Sequence, residues 1–543
     1  MTERGAARAA LWLLLLVALA WRVNNIAFGL PGMYDPDEPM FMLTALKLPL
    51  QGTLNPGWFG HPGTTTIYML ALIDIVVVAV GLLSGSYSNI AEFTAAAYAN
   101  PAIVFIPSRL LMVALGVTSV WLTYVLGKRL VGEWTGIIAA ALLTFNGLHI
   151  SWSQVIRTDI HASVFMLGAL IFAVDAAKHG RLKHWLLAGF LTGFATATKW
   201  PAASVIVAVA GAWAYRRTIS GAVAKTDLPT LAAAIGAAII GLFMASPYIF
   251  LDWSTVLSNV TGEMSSGHLG HSGTGFFSNL MWYIRHQLVG TMGWIGLFAA
   301  TIGMAHLVVV NRLARFTMMP ASLAFLGLIC AQNLVWSRWI LPVMPMFCIF
   351  VAAAATWTAR ALSERAPKVP RNLAYGAIGT LALAPSIASA FAQSAERAND
   401  TRSQAVRWAK VNIPAGSSVV LEHLELNLRE QPWRILFPMG EAGCVDAVQL
   451  LKNGVRYDEV QKLRRGSPIV DLGNVSQEQA DSCRADYAIL TYYDLYQLEA
   501  AEYPRQVRSY QKILAGGRTV ALFAPRPGQA GGPVVRIVAV QQH

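Results

Sequence analysis

Charge is what this sequence lacks most. Asp, Glu, Lys and Arg make up 13% of its 543 residues and hydrophobic residues 55%, where soluble domains carry about 25% charged residues. That balance excludes a soluble globular protein as the main body and leaves a polytopic membrane protein. Acids are scarcer than bases, 29 against 41, for a formal net charge of +12. Cysteine is scarcer still, with four residues, too few for a disulfide-dense scaffold and at spacings that match no metal cluster. Cys330 and Cys348 fall in apolar runs and are expected to be small core residues. No inverted self-similarity of the kind that marks many transporters is visible.

Long apolar runs are what the sequence has instead. They lie at about 9–28, 107–126, 134–151, 160–177, 185–198, 201–215, 229–247, 288–310, 317–334, 338–358 and 372–392, and a span needs about 20 residues. The expected fold is therefore a polytopic α-helical membrane protein of about 11 transmembrane helices over residues 1–397. After residue 397 the pattern turns to mixed polar and apolar, which predicts a soluble domain at 398–543, an ordinary domain size.

The basic residues decide between a polyanionic partner and a membrane. Of the 24 Lys and Arg in residues 1–397, sixteen fall in alternate short loops: Arg4 and Arg8; Lys128 and Arg129; Lys178, Arg181 and Lys183; Arg216, Arg217 and Lys225; Arg312 and Arg315; and Arg360, Arg365, Lys368 and Arg371. This is the positive-inside pattern, which sets orientation and needs no nucleic acid. With the N-terminus inside, the segment 31–63, the loops at 152–159, 199–201, 248–287 and 335–338, and the tail all face outward. Residues 64–84 are apolar enough to span but would invert every later loop, so they are expected as a re-entrant or interface-lying helix with juxtamembrane helices in the first outer loop. In an oxidising outer compartment, Cys444 and Cys483 are candidates for a disulfide.

On that outer face the rare charges gather. "MYDPDEPMFMLTALKL" (33–48) holds Asp35, Asp37 and Glu38. Asp35 and Glu38 fit a helix-capping box around Pro36, which leaves the Asp37 carboxylate unassigned. "HISWSQVIRTDIHASVF" (149–165) adds Arg157 and Asp159, which also suit a helix start and its salt partner. Lys199 in "TATKWPAAS" (196–204) and Arg338 in "WSRWILPVMP" (336–345) stand at other outer boundaries. A buried cation there is costly unless it reaches water or an anion, and snorkelling is the structural alternative for Lys199. His61 in "GHPGTTT" completes the set. Acids beside cations at a lipid–water border suit a carboxylate that takes a proton from an attacking hydroxyl, with cations that stabilise charge on a departing lipid phosphate.

These residues, with "HPGTTTIYMLAL" (61–72), "RLLMVALGVTSVWLTYVLGKRLVG" (109–132), "SQVIRTDIHASVF" (153–165), "ATATKWPA" (195–202) and "RWILPVMPMF" (338–347) in order, resemble the GT-C superfamily of glycosyltransferases. Within it the protein O-mannosyltransferase and aminoarabinose (lipid A) transferase type is the most similar. The tail, with "DTRSQAVRWAKVNIPAGSSVVLEH" (400–423) as helix, turn and strand, resembles the α/β extracellular domain of bacterial members. The resemblance implies a glycosyltransferase of the cell envelope, in the bacterial cytoplasmic (inner) membrane, with its active site and tail facing the periplasm. Its donor would be a polyprenyl-phosphate-linked sugar and its acceptor a hydroxyl of a lipid, glycan or protein. Asp37 would be the catalytic base, with Glu38 beside it and Asp159 at the second acidic position; His61, Arg157, Lys199 and Arg338 would bind substrate. Inversion at the sugar would follow from a single displacement. The chain departs from the family pattern where "GTTT" replaces a bulky aromatic pair, Gly63 a second proline, and Pro39 a small residue.

Two alternatives remain in the sequence. A transporter or flippase would also use charges within a membrane body, although here they cluster on one face. The Gly- and Ser-rich loop 252–287 fits a lid, and its His268 and His271 with Glu263 offer ligands for a divalent metal. No other cofactor is indicated.

Overall fold

In the computed structural model, residues 3–219, 227–265, 268–366, 371–422, 426–428, 430–452 and 470–540 are described. Lys225 and Lys368 of the basic loops, and 266–267 of the expected lid, lie outside them. The chain forms two compact units. The first comprises Met1–Ile26, Asp37–Gly267 and His271–Phe391; the second comprises Ala27–Pro36, His268–Gly270 and Ala392–His543.

The first unit is helical. Among the described residues, nine helices are long and apolar enough to cross a membrane, which makes the chain a multi-pass membrane protein. The difference from eleven has local causes. The run 134–151 breaks into Glu133–Thr144 and Gly147–Trp152, because the Asn146 side chain accepts the His149 N–H and starts a new helix. The Leu182–Thr198 helix stops at 17 residues, and Pro201 puts a 3-10 turn, Trp200–Val205, ahead of the Ile206–Ile219 helix. Thr64–Leu83, expected as a re-entrant or interface-lying helix, is an unbroken 20-residue helix that is counted among the nine by its length and hydropathy.

Small residues set how closely these helices approach. A Cβ at Gly189 or Gly193 would run into the backbone carbonyls of Ala234 or Ala238 on the Asp227–Ala245 helix, and one at Gly241 into the carbonyl of Phe190. Such small-residue contacts let dispersion bind helices in lipid, where no hydrophobic drive exists between them. Arg22 is buried on the Glu3–Val23 helix, where its guanidinium donates to the carbonyls of Ala18 (3.1 Å) and Leu143 (3.1 Å) and lies 2.9 Å from His149 Nδ1. A buried cation in the last turn of that helix is tolerated because carbonyls replace its hydration.

The second unit is built on a six-stranded sheet: β1 (Ser418–Leu421), β2 (Arg434–Pro438), β3 (Cys444–Asp446), β4 (Tyr487–Leu490), β5 (Gly517–Phe523) and β6 (Val535–Val540), in the order β3-β2-β1-β4-β6-β5. β1 pairs in parallel with β2 and β4, and the remaining pairs are antiparallel. Alternation along the strands feeds two cores: Val419, Leu421, Ile435 and Ile489 pack with Ala405 and Ala409 on one side, and Val420, Leu436, Ala488 and Leu490 with Tyr496 and Tyr510 on the other. Cys444 and Cys483 form a disulfide, closing a separation of 39 residues. In this unit Tyr34 Oη lies 2.8 Å from Ser403 Oγ, and the Arg402 guanidinium lies 4.0 Å over the Tyr34 ring.

Candidate active site

Helix ends and 3-10 turns bring the charged residues together in the first unit. Asp37 occupies the cap position of the Glu38–Gln51 helix but makes no capping bond with its side chain. Asp159 sits in the first turn of Thr158–His179, two residues after Arg157 at its cap. Lys199 ends Leu182–Thr198, and Arg338 lies in the 3-10 turn Ser337–Val343. Of these, Arg157, Asp159, Lys199 and Arg338 are buried.

The pairing differs from the sequence expectation. Arg157, expected beside Asp159, forms an ion pair with Asp37. Asp159 is paired with Lys199, which is buried and does not snorkel. Arg338 stands between the two pairs, 3.8 Å from Asp37 Oδ2 by Nη2 and 3.8 Å from Asp159 Oδ2 by Nε. Two acids and three cations thus share one cluster. Within it the acids are unequal: the Asp37 side chain is 34% exposed and that of Asp159 only 2%. Asp37 is the carboxylate that an incoming molecule can reach.

Glu38 has other neighbours. Arg109 holds it at 2.9 Å (Nε to Oε1) and 2.5 Å (Nη2 to Oε2), and the Ile156 N–H donates to its Oε1 at 2.9 Å. The capping-box reading is therefore corrected: Glu38 begins the helix as a buried anchor that ties it to the strand of chain leading into Arg157. His61 has its ring edge-on to Trp58 at 5.3 Å. Two residues on, the Gly63 N–H donates to the Thr198 carbonyl at 3.2 Å.

The departures "GTTT" have physical work here. Gly63 has φ 59°, which proline's ring forbids. Thr64 Oγ1 lies 2.7 Å from Ser246 Oγ, Thr65 Oγ1 2.6 Å from Thr198 Oγ1, and Thr66 Oγ1 3.0 Å from His161 Nδ1. The three hydroxyls bind one helix start to three other segments, two of which carry Asp159 and Lys199.

Tryptophans, which the sequence reasoning passed over, line the cations. Arg157 and Arg338 lie 5.8 and 5.7 Å from the Trp152 ring, Lys199 5.8 Å from Trp339, and Arg338 4.1 Å from Trp336. The signal was available in "WSRWI", where two indoles flank the arginine. Trp253–Ser265 is a helix, and Glu263 packs where a Cβ on Gly60 would touch its Cγ at 2.8 Å. Burial pushes the Glu263 carboxyl up, and the charge of Arg338 pulls it partly back. Among the described residues no group of three or more His, Cys, Asp or Glu side chains is arranged to hold a metal ion.

Residues 102–249 match the family model of the dolichyl-phosphate-mannose-protein mannosyltransferases. Over nearly its full length the chain is similar in fold to ArnT from Cupriavidus metallidurans bound to undecaprenyl phosphate, with a TM-score of 0.53 at 12% identity, covering 99% of this chain and 98% of that one. The chain has the GT-C fold. The same ArnT in its apo state gives a TM-score of 0.51 at 12% identity, covering 97% of each chain. A comparison with curated proteins finds no match. The resemblance to GT-C glycosyltransferases read from the sequence thus holds at the level of fold, with the tail's sheet domain included in the match.

Proposed function

We propose that this protein is a glycosyltransferase that moves a sugar from a polyprenyl-phosphate donor to a hydroxyl acceptor at the outer face of the membrane. The observation that carries the reading is the unequal exposure of two acids within one cationic cluster. Asp37 accepts the proton of the acceptor hydroxyl as that oxygen attacks the anomeric carbon. The bond from that carbon to the phosphate oxygen breaks, and the electron pair leaves with the phosphate. Arg157, Lys199 and Arg338 take up the charge that grows there, and low dielectric at a buried cluster strengthens their effect. A phosphate leaving group needs no general acid, and a single displacement inverts the anomeric centre.

Asp159, sealed against Lys199, orients that ammonium and does not take the proton. Glu38 acts one step back, holding the chain at Ile156 and hence Arg157. The match of the fold to an ArnT bound to undecaprenyl phosphate supports a lipid phosphate as the leaving group, and the positive-inside pattern supports an outward-facing cluster and tail in a bacterial inner membrane. The test is incubation of the purified full-length protein with polyprenyl-phosphate sugars and candidate acceptors. Acceptor-dependent release of polyprenyl phosphate is expected; binding without release would overturn the proposal.

A further inference from the structure

Arg338 is held near two acids and against an aromatic ring. At 3.8 Å from each carboxylate the attraction is ionic and only weakly directional, because a hydrogen bond at that distance is lost. A planar fork that is to meet a phosphate needs its plane fixed. The Trp336 ring supplies that plane, 4.1 Å from the guanidinium carbon. That indole is itself half-buried.

The His271 ring is stacked on Trp336 at 3.6 Å with 20° between planes. The Trp336 indole thus touches both groups, the His271 ring at 3.6 Å and the Arg338 guanidinium carbon at 4.1 Å. His271 is itself pinned. Its Nδ1 lies 3.1 Å from the Val335 carbonyl oxygen, the Val335 N–H donates to the His271 carbonyl oxygen at 2.9 Å, and the Gly273 N–H donates to the Asn333 carbonyl oxygen at 2.7 Å. The 271–273 segment and 333–335 therefore form a short antiparallel bridge that feeds directly into the Trp336–Arg338 turn.

We propose that His271 is a positioning residue: by stacking on Trp336 it fixes the plane of Arg338, so that the seating of the outer-loop segment governs how well a lipid phosphate is recognised. This rests on the reading of Arg338 as a phosphate ligand. Its ring is the working part, and the imidazole nitrogen only anchors it.

Two substitutions separate ring from nitrogen. His271→Phe keeps an aromatic face and loses the contact to Val335; His271→Gln keeps a donor and loses the face. With the purified full-length protein and undecaprenyl phosphate as the probe, His271→Gln is expected to raise Kd by about 5- to 20-fold, the span of one desolvated cation–π contact. His271→Phe is expected to stay within about twofold of wild type, and kcat at saturating donor to change less than KM in both. Wild-type affinity in His271→Gln, or equal weakening in both variants, would overturn the proposal. Should His271→Gln not purify folded, Trp336→Leu replaces it: weakened phosphate binding supports the stack, and unchanged binding defeats it. Arg338→Gln is the control for the underlying reading. If it binds undecaprenyl phosphate as wild type does, Arg338 is no phosphate ligand; if it loses binding while His271→Gln does not, only the positioning role fails.

Discussion

Glu38 and Arg109, 71 residues apart, close a buried ion pair at 2.5 Å. Removing one partner strands the other charge away from water. Glu38→Ala is expected to destabilise the protein by about 3–5 kcal/mol, read as an earlier thermal unfolding transition in detergent. The double variant Glu38→Ala/Arg109→Leu should recover part of that loss. Additive losses would mean that the two charges are solvated separately.

Asp37 carries the proton transfer in the proposed reaction. Asp37→Asn is expected to lower turnover by about 10²–10⁴-fold while the protein purifies normally and still binds undecaprenyl phosphate. Turnover near wild type would take Asp37 out of the base role.

Lys199 and Asp159 behave as a unit. Lys199→Met is expected to weaken binding of undecaprenyl phosphate at least about tenfold, since it deletes a proposed phosphate contact and leaves a buried carboxylate without its ammonium. Lys199→Met/Asp159→Asn should regain stability but not phosphate binding. Recovery of both by the double variant would show that Lys199 serves only to neutralise Asp159.

In the second unit, Glu422 is buried and receives the Thr491 and Tyr492 N–H groups and the Tyr510 hydroxyl. Burial first, and then the charge of Asp471, pushes its carboxyl up to about 7, against those hydrogen bonds. A carboxyl raised on folding favours the protonated native state. Its contribution is complete below the unfolded value of 4.5 and is lost as pH climbs through about 7. Thermal scans of the full-length protein should therefore show the second unit less stable at pH 8 than at pH 5, by roughly 2–3 kcal/mol, and Glu422→Gln should flatten that slope. A transition that strengthens with pH would contradict the assignment.

The membrane body and the sheet domain were legible because apolar runs and rare charges report directly on burial, and the same rarity made the acids stand out as candidates. The strands at 487–490, 517–523 and 535–540 fell within apolar stretches that any pattern reading would find. β2 and β3 did not, since "RILFP" and "CVD" are too short to show alternation. Which cation meets which acid was not legible. Arg157 lies two residues from Asp159 yet turns to Asp37, because an extended residue at a helix cap directs its side chain away from the first turn. Arg109 was hidden for a different reason: within one long helix, a single arginine gives no hint of the partner that waits 71 positions earlier.

The glycine seam between Leu182–Thr198 and Asp227–Ala245 has a mechanical consequence. Backbones in direct touch leave no compressible side chain between them, so the two rods act as a splint. Lys199, the residue next after that splint, inherits its stiffness: the ammonium is carried on a cantilever with a fixed root. A methyl group added at Gly193 would act as a wedge near the fulcrum, displacing the charged tip farther than the seam itself opens.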